Sequence, residues 1–332
     1  MTQKTGSISA VIATYNRAAM VKQTVEAALA QTRPPSEIVV MDDCSTDATP
    51  DVLRELSGLA GVRALRRAAN SGGSGSWNEA AATASGDYIA FCADDDRWLP
   101  DHLEASVRYL EQHPEAGFVH SGFVDVVEKP GYESVEPRKL RSSEPLEISC
   151  DNLIRYMARY YDWPFHFSTL VLRREVWQQT GELNGVYQLA DTDWFVRAVE
   201  RFHAVLLPRH GVYNRRHPGN WSNRVGSARM QAEIFEIVDE AIERLLLDQP
   251  LHRTAWRAIW RANVRARLSL TLWQRLKTGH ADAACAAWHG ILQNTGRNSP
   301  PWAEHAGEKL WRWCCRGRVA EVRDARRSVS PL

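Results

Sequence analysis

The sequence predicts an α/β fold, a mostly parallel sheet flanked by helices, followed by a helical C-terminal region. Three observations predict it. Apolar runs of strand length alternate with stretches of helical period through the first hundred residues. A chain of 332 residues with 44% apolar and 24% charged side chains has the length and composition for a sizeable core. Nowhere do 18 apolar residues follow one another, so no membrane-spanning helix is expected.

The elements follow in order. Ile8 to Thr14 reads as a buried strand, and residues 17–31 as a helix with Met20, Val21, Val25, Ala28 and Leu29 on one face. Glu37 to Met41 is a second strand and Pro50 to Leu59 a second helix, with proline in its first turn. Val62 to Leu65 is short and strand-like, Trp77 to Ser85 is Ala-rich and helical, and Asp87 to Cys92 is a fourth strand. A helix is expected from Pro100 to His113, then a strand over Gly117 to Val126. Residues 127–147, with Pro130, Pro137 and Pro145 among many charges, read as an irregular connection. Ser168 to Leu172 is a strand, Ala190 to Val199 a helix, and Ala204 to Leu207 and Gly211 to Tyr213 are the last strands. From Ala228 the pattern is helical nearly to residue 320. The expected domains are therefore 1–225, a helical region 226–320 and a tail 321–332.

Open α/β sheets bind ligands beyond the carboxyl ends of their strands. Those positions carry Thr14 to Arg17, Asp42 to Asp47, Asn70 to Gly73, and Asp94 to Asp96. Singly, each has a plain alternative. The adjacent carboxylates Asp94, Asp95 and Asp96 suit a hard divalent cation, or cap the following helix. Asp43 can accept from a base N–H or cap a helix; Tyr15 can stack on a base or cover the sheet edge. The Gly-rich stretch 70–76 lacks the lysine of a P-loop. His217 lies beside Arg215 and Arg216 as a metal ligand, a phosphate contact or a structural histidine.

Taken in order, the segments VIATYNR at 11–17, VMDDCSTD at 40–47, Asn70 and Gly72 with Asn78, GDYIAF at 86–91 and DDDRWLP at 94–100 resemble glycosyltransferase family 2. ADTDWFVR at 190–197 resembles that family's acidic helix start, and YNRRHPGNWS at 213–222 the segment closing its catalytic domain. The resemblance implies the GT-A fold over residues 6–225 and inverting transfer of a sugar from a nucleoside-diphosphate donor. It implies that Tyr15 and Asp43 hold the base, with Thr14, Arg17, Asn70 and Asn78 bordering the donor and Asp94 facing the ribose. Asp95 would bind Mg²⁺ or Mn²⁺, with Asp96 and His217 as further ligands, and Asp191 would be the general base, with Asp193 as its neighbour. Asp43 favours a uracil or thymine base, hence UDP- or dTDP-sugars, and the acceptor would be a saccharide or lipid-linked hydroxyl. The sequence departs from the pattern at Trp77, Ala93 and Ala190. Paired acids on an α/β sheet also admit a nucleotidyltransferase, and the three departures admit a non-catalytic sugar-nucleotide binder.

Net charge is +1, without the basic excess of a nucleic-acid binder, so no nucleic-acid partner is expected. Residues 251–332 nevertheless carry 15 basic against 5 acidic side chains and seven of the 13 tryptophans. Arg253, Arg257, Arg261 and Arg265 recur at helical spacing beside Trp256, Trp260 and Val264. Such a stripe packs on the acidic remainder of the chain, or makes peripheral membrane contact through 252–320. Six scattered cysteines (Cys44, Cys92, Cys150, Cys285, Cys314, Cys315) and the polar opening Met1 to Ser7 lead to the expectation of a reduced, cytoplasmic protein.

Overall fold

The computed structural model describes residues 6–129, 132–149, 152–153, 165–220 and part of 233–244. All lie in the first of two compact units, Met1–Gln249; the expected helices beyond it, including the Arg/Trp stripe at 252–277, fall outside the described residues.

The first half of the fold is the alternation read from the sequence. Strand β1 (Ile8–Thr14), helix α1 (Ala18–Leu29), β2 (Glu37–Asp42), α2 (Thr49–Leu56), β3 (Val62–Arg66), α3 (Gly73–Ala82) and β4 (Tyr88–Phe91) follow one another. β3, β2, β1 and β4 are parallel neighbours in that order. β1 and β2 are buried almost throughout, which their unbroken apolar runs require of strands covered on both faces. Ile8, Ala10 and Ile12 of β1 and Ile38 and Val40 of β2 pack with Val21, Val25 and Ala28 of α1 and Leu53 and Leu56 of α2. α3 lies against β1 and β2.

The second half mixes directions. β5 (Arg97–Trp98), α4 (His102–Gln112), β6 (Ala116–Lys129), β7 (Tyr132–Pro137) and β8 (Leu146–Ile148) lead to a 3-10 turn at Phe167–Thr169. Then come β9 (Val171–Arg173), α5 (Arg174–Thr180), α6 (Ala190–Val199) and β10 (His203–Arg216). β9 joins β4 and β6 antiparallel to both, and β10 runs parallel to β6. Leu103, Val107 and Leu110 of α4 extend the core.

Four expectations about elements change. α3 begins at Gly73, four residues before the Ala-rich stretch, because Gly72 at φ +83 turns the chain into the first helical turn. Residues 127–147 are not wholly irregular, since β7 pairs with the end of β6 and β8 with β10. Ser168 belongs to the 3-10 turn and not to the following strand. The two short last strands are one strand, β10, with register shifts against β6 on either side of His210, near Pro208.

Glu37 ties the sheet together at the edge opposite the strand ends. It accepts from Ser9 Oγ (2.7 Å), from the Ser85 N–H and hydroxyl (2.7 Å each) and from Arg63 (2.8 Å). Burial pulls its pKa upward, but these donors outweigh it and hold the carboxyl down at about 2.

Candidate active site

The carboxyl ends of β1, β2 and β4 and the end of β10 converge. Two non-glycine residues at positive φ, Asn16 and Cys44, bend the chain sharply after β1 and β2. Their loops interlock. Asn16 Oδ1 accepts from the N–H groups of Thr46 and Asp47, the Asn16 N–H donates to Ser45 Oγ, and the Arg17 N–H donates to Thr49 Oγ1.

Thr14 and Arg17 hold the acidic loop. Thr14 Oγ1 donates to Asp94 Oδ2 at 2.7 Å, and Arg17 Nη1 bridges Asp94 Oδ1 (2.7 Å) and Asp95 Oδ2 (2.6 Å). Thr24 on α1 braces the same loop by donating to the Asp94 and Asp96 carbonyls. Burial pushes the Asp94 carboxyl up to about 6, against the pull of Arg17. Arg17 itself is lifted above its usual value: burial lowers it, and Asp94 and Asp95 more than compensate.

Asp95 meets the end of β10. His217 Nε2 and Asn220 Nδ2 each lie 3.2 Å from Asp95 Oδ2. Neighbouring ligands of an octahedral cation with bonds of 2.0–2.1 Å are about 3 Å apart, so Asp95 and His217 have the spacing and chemistry to share one. Among the described residues no three His, Cys, Asp or Glu side chains group as a metal cage. Asp95, with His217 beside it, is therefore the residue that would hold a divalent cation, an imidazole being a poorer partner for Mg²⁺ than oxygen.

Asp96 is engaged elsewhere. It accepts from Ser168 Oγ at 2.5 Å and from the Arg215 N–H at 3.1 Å, tying the acidic loop to the 3-10 turn and to β10. Burial, then the neighbouring Asp95, moves its pKa up. Beneath the triplet, Cys92 is 1% exposed, and burial followed by the three aspartates pushes its thiol far above the ordinary range.

Asp191 lies in the first turn of α6, half-buried, with its Oδ1 accepting from the Thr192 N–H at 2.8 Å. Burial raises its pKa. Asp193 instead pairs with Arg197 (2.9 Å), which also donates to the Thr180 and Glu182 carbonyls. That leaves Asp191 as the available carboxylate of the two. His166 Nδ1 lies 3.6 Å from Asp96 Oδ2, against the acidic loop. Burial lowers its pKa, and both Asp95 and Asp191 act on it in the opposite sense.

The remaining expected residues separate into two kinds. Tyr15 is 42% exposed beyond β1, open to a planar partner. Asp43 already accepts from the Ser71 N–H (3.1 Å) and Gly72 N–H (3.0 Å), and Asn70 Oδ1 accepts from the Gly72 N–H, so both shape the loop entering α3. Asn78 exchanges two hydrogen bonds with the backbone of Leu183, a contact that pins the segment before α6. Trp77 packs edge-on against Phe91 and Phe167. His166, Ser168, Thr24 and Asn220 were not picked out by sequence reasoning; Asn220 lay in a quoted segment, and the other three had no local signal.

A half-parallel sheet carrying acids at its carboxyl rim, completed by antiparallel strands and an acidic helix start, is the GT-A architecture. Solved structures agree on the fold. The crystal structure of S. aureus TarS 1-349 in complex with UDP-GlcNAc has a TM-score of 0.61 at 16% identity, covering 87% of this chain and 81% of that one. The mannosyltransferase PcManGT from Pyrobaculum calidifontis in complex with GDP-Man and Mn²⁺ has a TM-score of 0.56 at 16% identity, covering 89% and 88%. Residues 9–180, just over half of the chain, match the family Glycosyl transferase family 2, and the chain belongs to that family. It is 31% identical over 117 residues to the putative teichuronic acid biosynthesis glycosyltransferase TuaG of Bacillus subtilis, covering 35% of this chain and 46% of TuaG. It is 33% identical over 147 residues to the succinoglycan biosynthesis protein ExoO of Rhizobium meliloti, covering 44% and 39%. The chain thus spans less than half the length of either relative. Among the described residues no helix is long and apolar enough to cross a membrane.

Proposed function

We propose that the chain moves a sugar from a nucleoside-diphosphate donor, a UDP- or dTDP-sugar, to a saccharide or lipid-linked hydroxyl, with inversion. The observation that carries this reading is the buried acidic loop at the end of β4, where Thr14 and Arg17 hold Asp94, and Arg17, His217 and Asn220 meet at Asp95. The ligands named for TarS and PcManGT, UDP-GlcNAc and GDP-Man with Mn²⁺, support a nucleotide-sugar donor and a divalent cation. The biosynthetic roles named for TuaG and ExoO support a glycan product.

In this reading Tyr15 stacks on the base, and Asp43 accepts from its ring N–H with the lone pairs not used by Ser71 and Gly72. Asp94 faces the ribose. Asp95 and His217 would hold Mg²⁺ or Mn²⁺, which when bound neutralises charge on the diphosphate. Asp191 removes the proton of the acceptor hydroxyl as its oxygen bonds to the anomeric carbon. The bond from that carbon to the phosphate oxygen breaks, and its electron pair leaves with the diphosphate. A carboxylate raised toward neutrality by burial suits this duty, typically contributing a factor of about 10²–10⁴.

The test is donor consumption by the full chain over a panel of UDP-, dTDP- and GDP-sugars with Mn²⁺, without and with saccharide acceptors. Consumption of at least one donor that disappears in Asp191→Asn is expected; nucleotide binding with no turnover on any donor would sink the reading. The Arg and Trp composition of 252–320 supports peripheral contact with an anionic membrane. Sedimentation with anionic vesicles at low salt should carry the chain down, and a chain left wholly in the supernatant would end that idea.

A further inference from the structure

Asp94 and Asp95 are adjacent carboxylates only 6% and 7% exposed. Buried side by side, such groups require a cation. Arg17 supplies it through one nitrogen, Nη1, placed 2.7 Å from Asp94 and 2.6 Å from Asp95. Its other arm, Nη2, donates to the Gly219 carbonyl at 3.2 Å, within the turn that carries His217. Asp95 Oδ2 thus has three donor groups around it, Arg17 Nη1, His217 Nε2 and Asn220 Nδ2. A carboxylate oxygen offers about two lone-pair sites, so this one has no room for a further partner.

A cation approaching Asp95 Oδ2 must remove one of the three. Asn220 is neutral, and His217 is itself a suitable ligand. Arg17 carries a fixed positive charge on the Asp95 oxygen that faces His217, and at such separations like charges repel strongly. A guanidinium also has a strong alternative partner when a diphosphate enters, because its fork matches phosphate oxygens.

We infer that Arg17 is a resident counter-cation that the metal displaces from Asp95, so that metal and diphosphate bind by exchange of partners. The metal takes the carboxylate, and the guanidinium turns to the diphosphate. The inference rests on the proposed donor site and adds that the site is closed to metal alone and opens to metal and diphosphate together. Arg17 is then a positioning residue with two opposed effects, weakening the binding of metal alone and strengthening the binding of diphosphate with metal.

The experiment measures Mn²⁺ binding to the full chain by electron paramagnetic resonance without nucleotide, then binding of UDP, GDP and UMP by calorimetry at saturating Mn²⁺. In Arg17→Met, Mn²⁺ alone should bind about tenfold tighter than in wild type, while the diphosphate should bind about tenfold weaker. UMP, which lacks the second phosphate, should lose much less. Opposite signs are the decisive reading, since a residue that merely braced the loops would weaken both ligands when lost. Arg17→Lys, which keeps the charge without the fork, should move both affinities in the same directions by less, and serves if the methionine variant does not fold. Parallel losses, or wild-type binding of Mn²⁺ alone as tight as in the variants, would overturn the exchange and leave the donor site standing. A wild-type chain that binds neither Mn²⁺ nor any nucleotide would overturn both.

Discussion

At the scale of single residues, the acidic pair of α6 shows how environment divides similar side chains. Asp191 and Asp193 lie two positions apart, yet only Asp193 is spent on an arginine, itself anchored to two backbone carbonyls. Asp191→Asn should reduce transfer by about 10²–10⁴-fold while leaving nucleotide affinity within about threefold. Asp193→Asn should lower stability by about 1–3 kcal/mol, seen in urea unfolding, with turnover of the folded fraction nearly intact. A reversal of the two phenotypes would move the base to Asp193. Thr14, Arg17, Asp94 and Asp95 were legible beforehand because each lies at or shortly beyond the carboxyl end of a strand. The partner each would choose was not. Thr14 and Asp94 are 80 positions apart, and Asp95 and His217 are 122 apart, distances over which no local period carries information.

Among the elements, β1, β2 and β4 declared themselves because strands buried on both faces are predominantly apolar. α3 concealed its first turn in a Gly and Ser stretch of low intrinsic helicity, where Asp43 receives the N–H groups of the entering loop and so makes up for poor local preference. β7 and β8 were hidden by charge. They are short strands, β7 mostly exposed and β8 buried only at Ile148, whose pairing comes from β6 and β10. The junction of β1, β2 and the turn before β4 depends on Glu37, and its depressed pKa makes that junction sensitive to acid. A carboxyl at about 2 in the native state and 4.5 in the unfolded chain stabilises the fold fully above pH 4.5, and the contribution is lost as pH falls toward 2. Glu37→Gln should therefore cost about 3 kcal/mol at pH 7, and the gap from wild type should narrow between pH 4.5 and 3, as read by denaturant unfolding. A gap that stays constant with pH would mean that the carboxylate's charge contributes nothing there.

For the molecule as a whole, the polar groups collect at one rim: two interlocked loops, a braced acidic loop and a turn from β10 meet there. The fold class was readable from alternation alone. The mixed completion, with β9 antiparallel between β4 and β6 and β10 parallel to β6, was not, because it joins segments far apart in sequence. The thiol of Cys92, sealed beneath three carboxylates at the end of β4, has one more use. With its proton held so firmly and no path for solvent, it is invisible to alkylating reagents as long as the central strands stay together. Pulsed iodoacetamide followed by peptide mapping would make that sulfur a clock: modification at the Cys92 peptide should lag that at half-buried Cys44 by orders of magnitude and advance only as fast as the sheet comes apart.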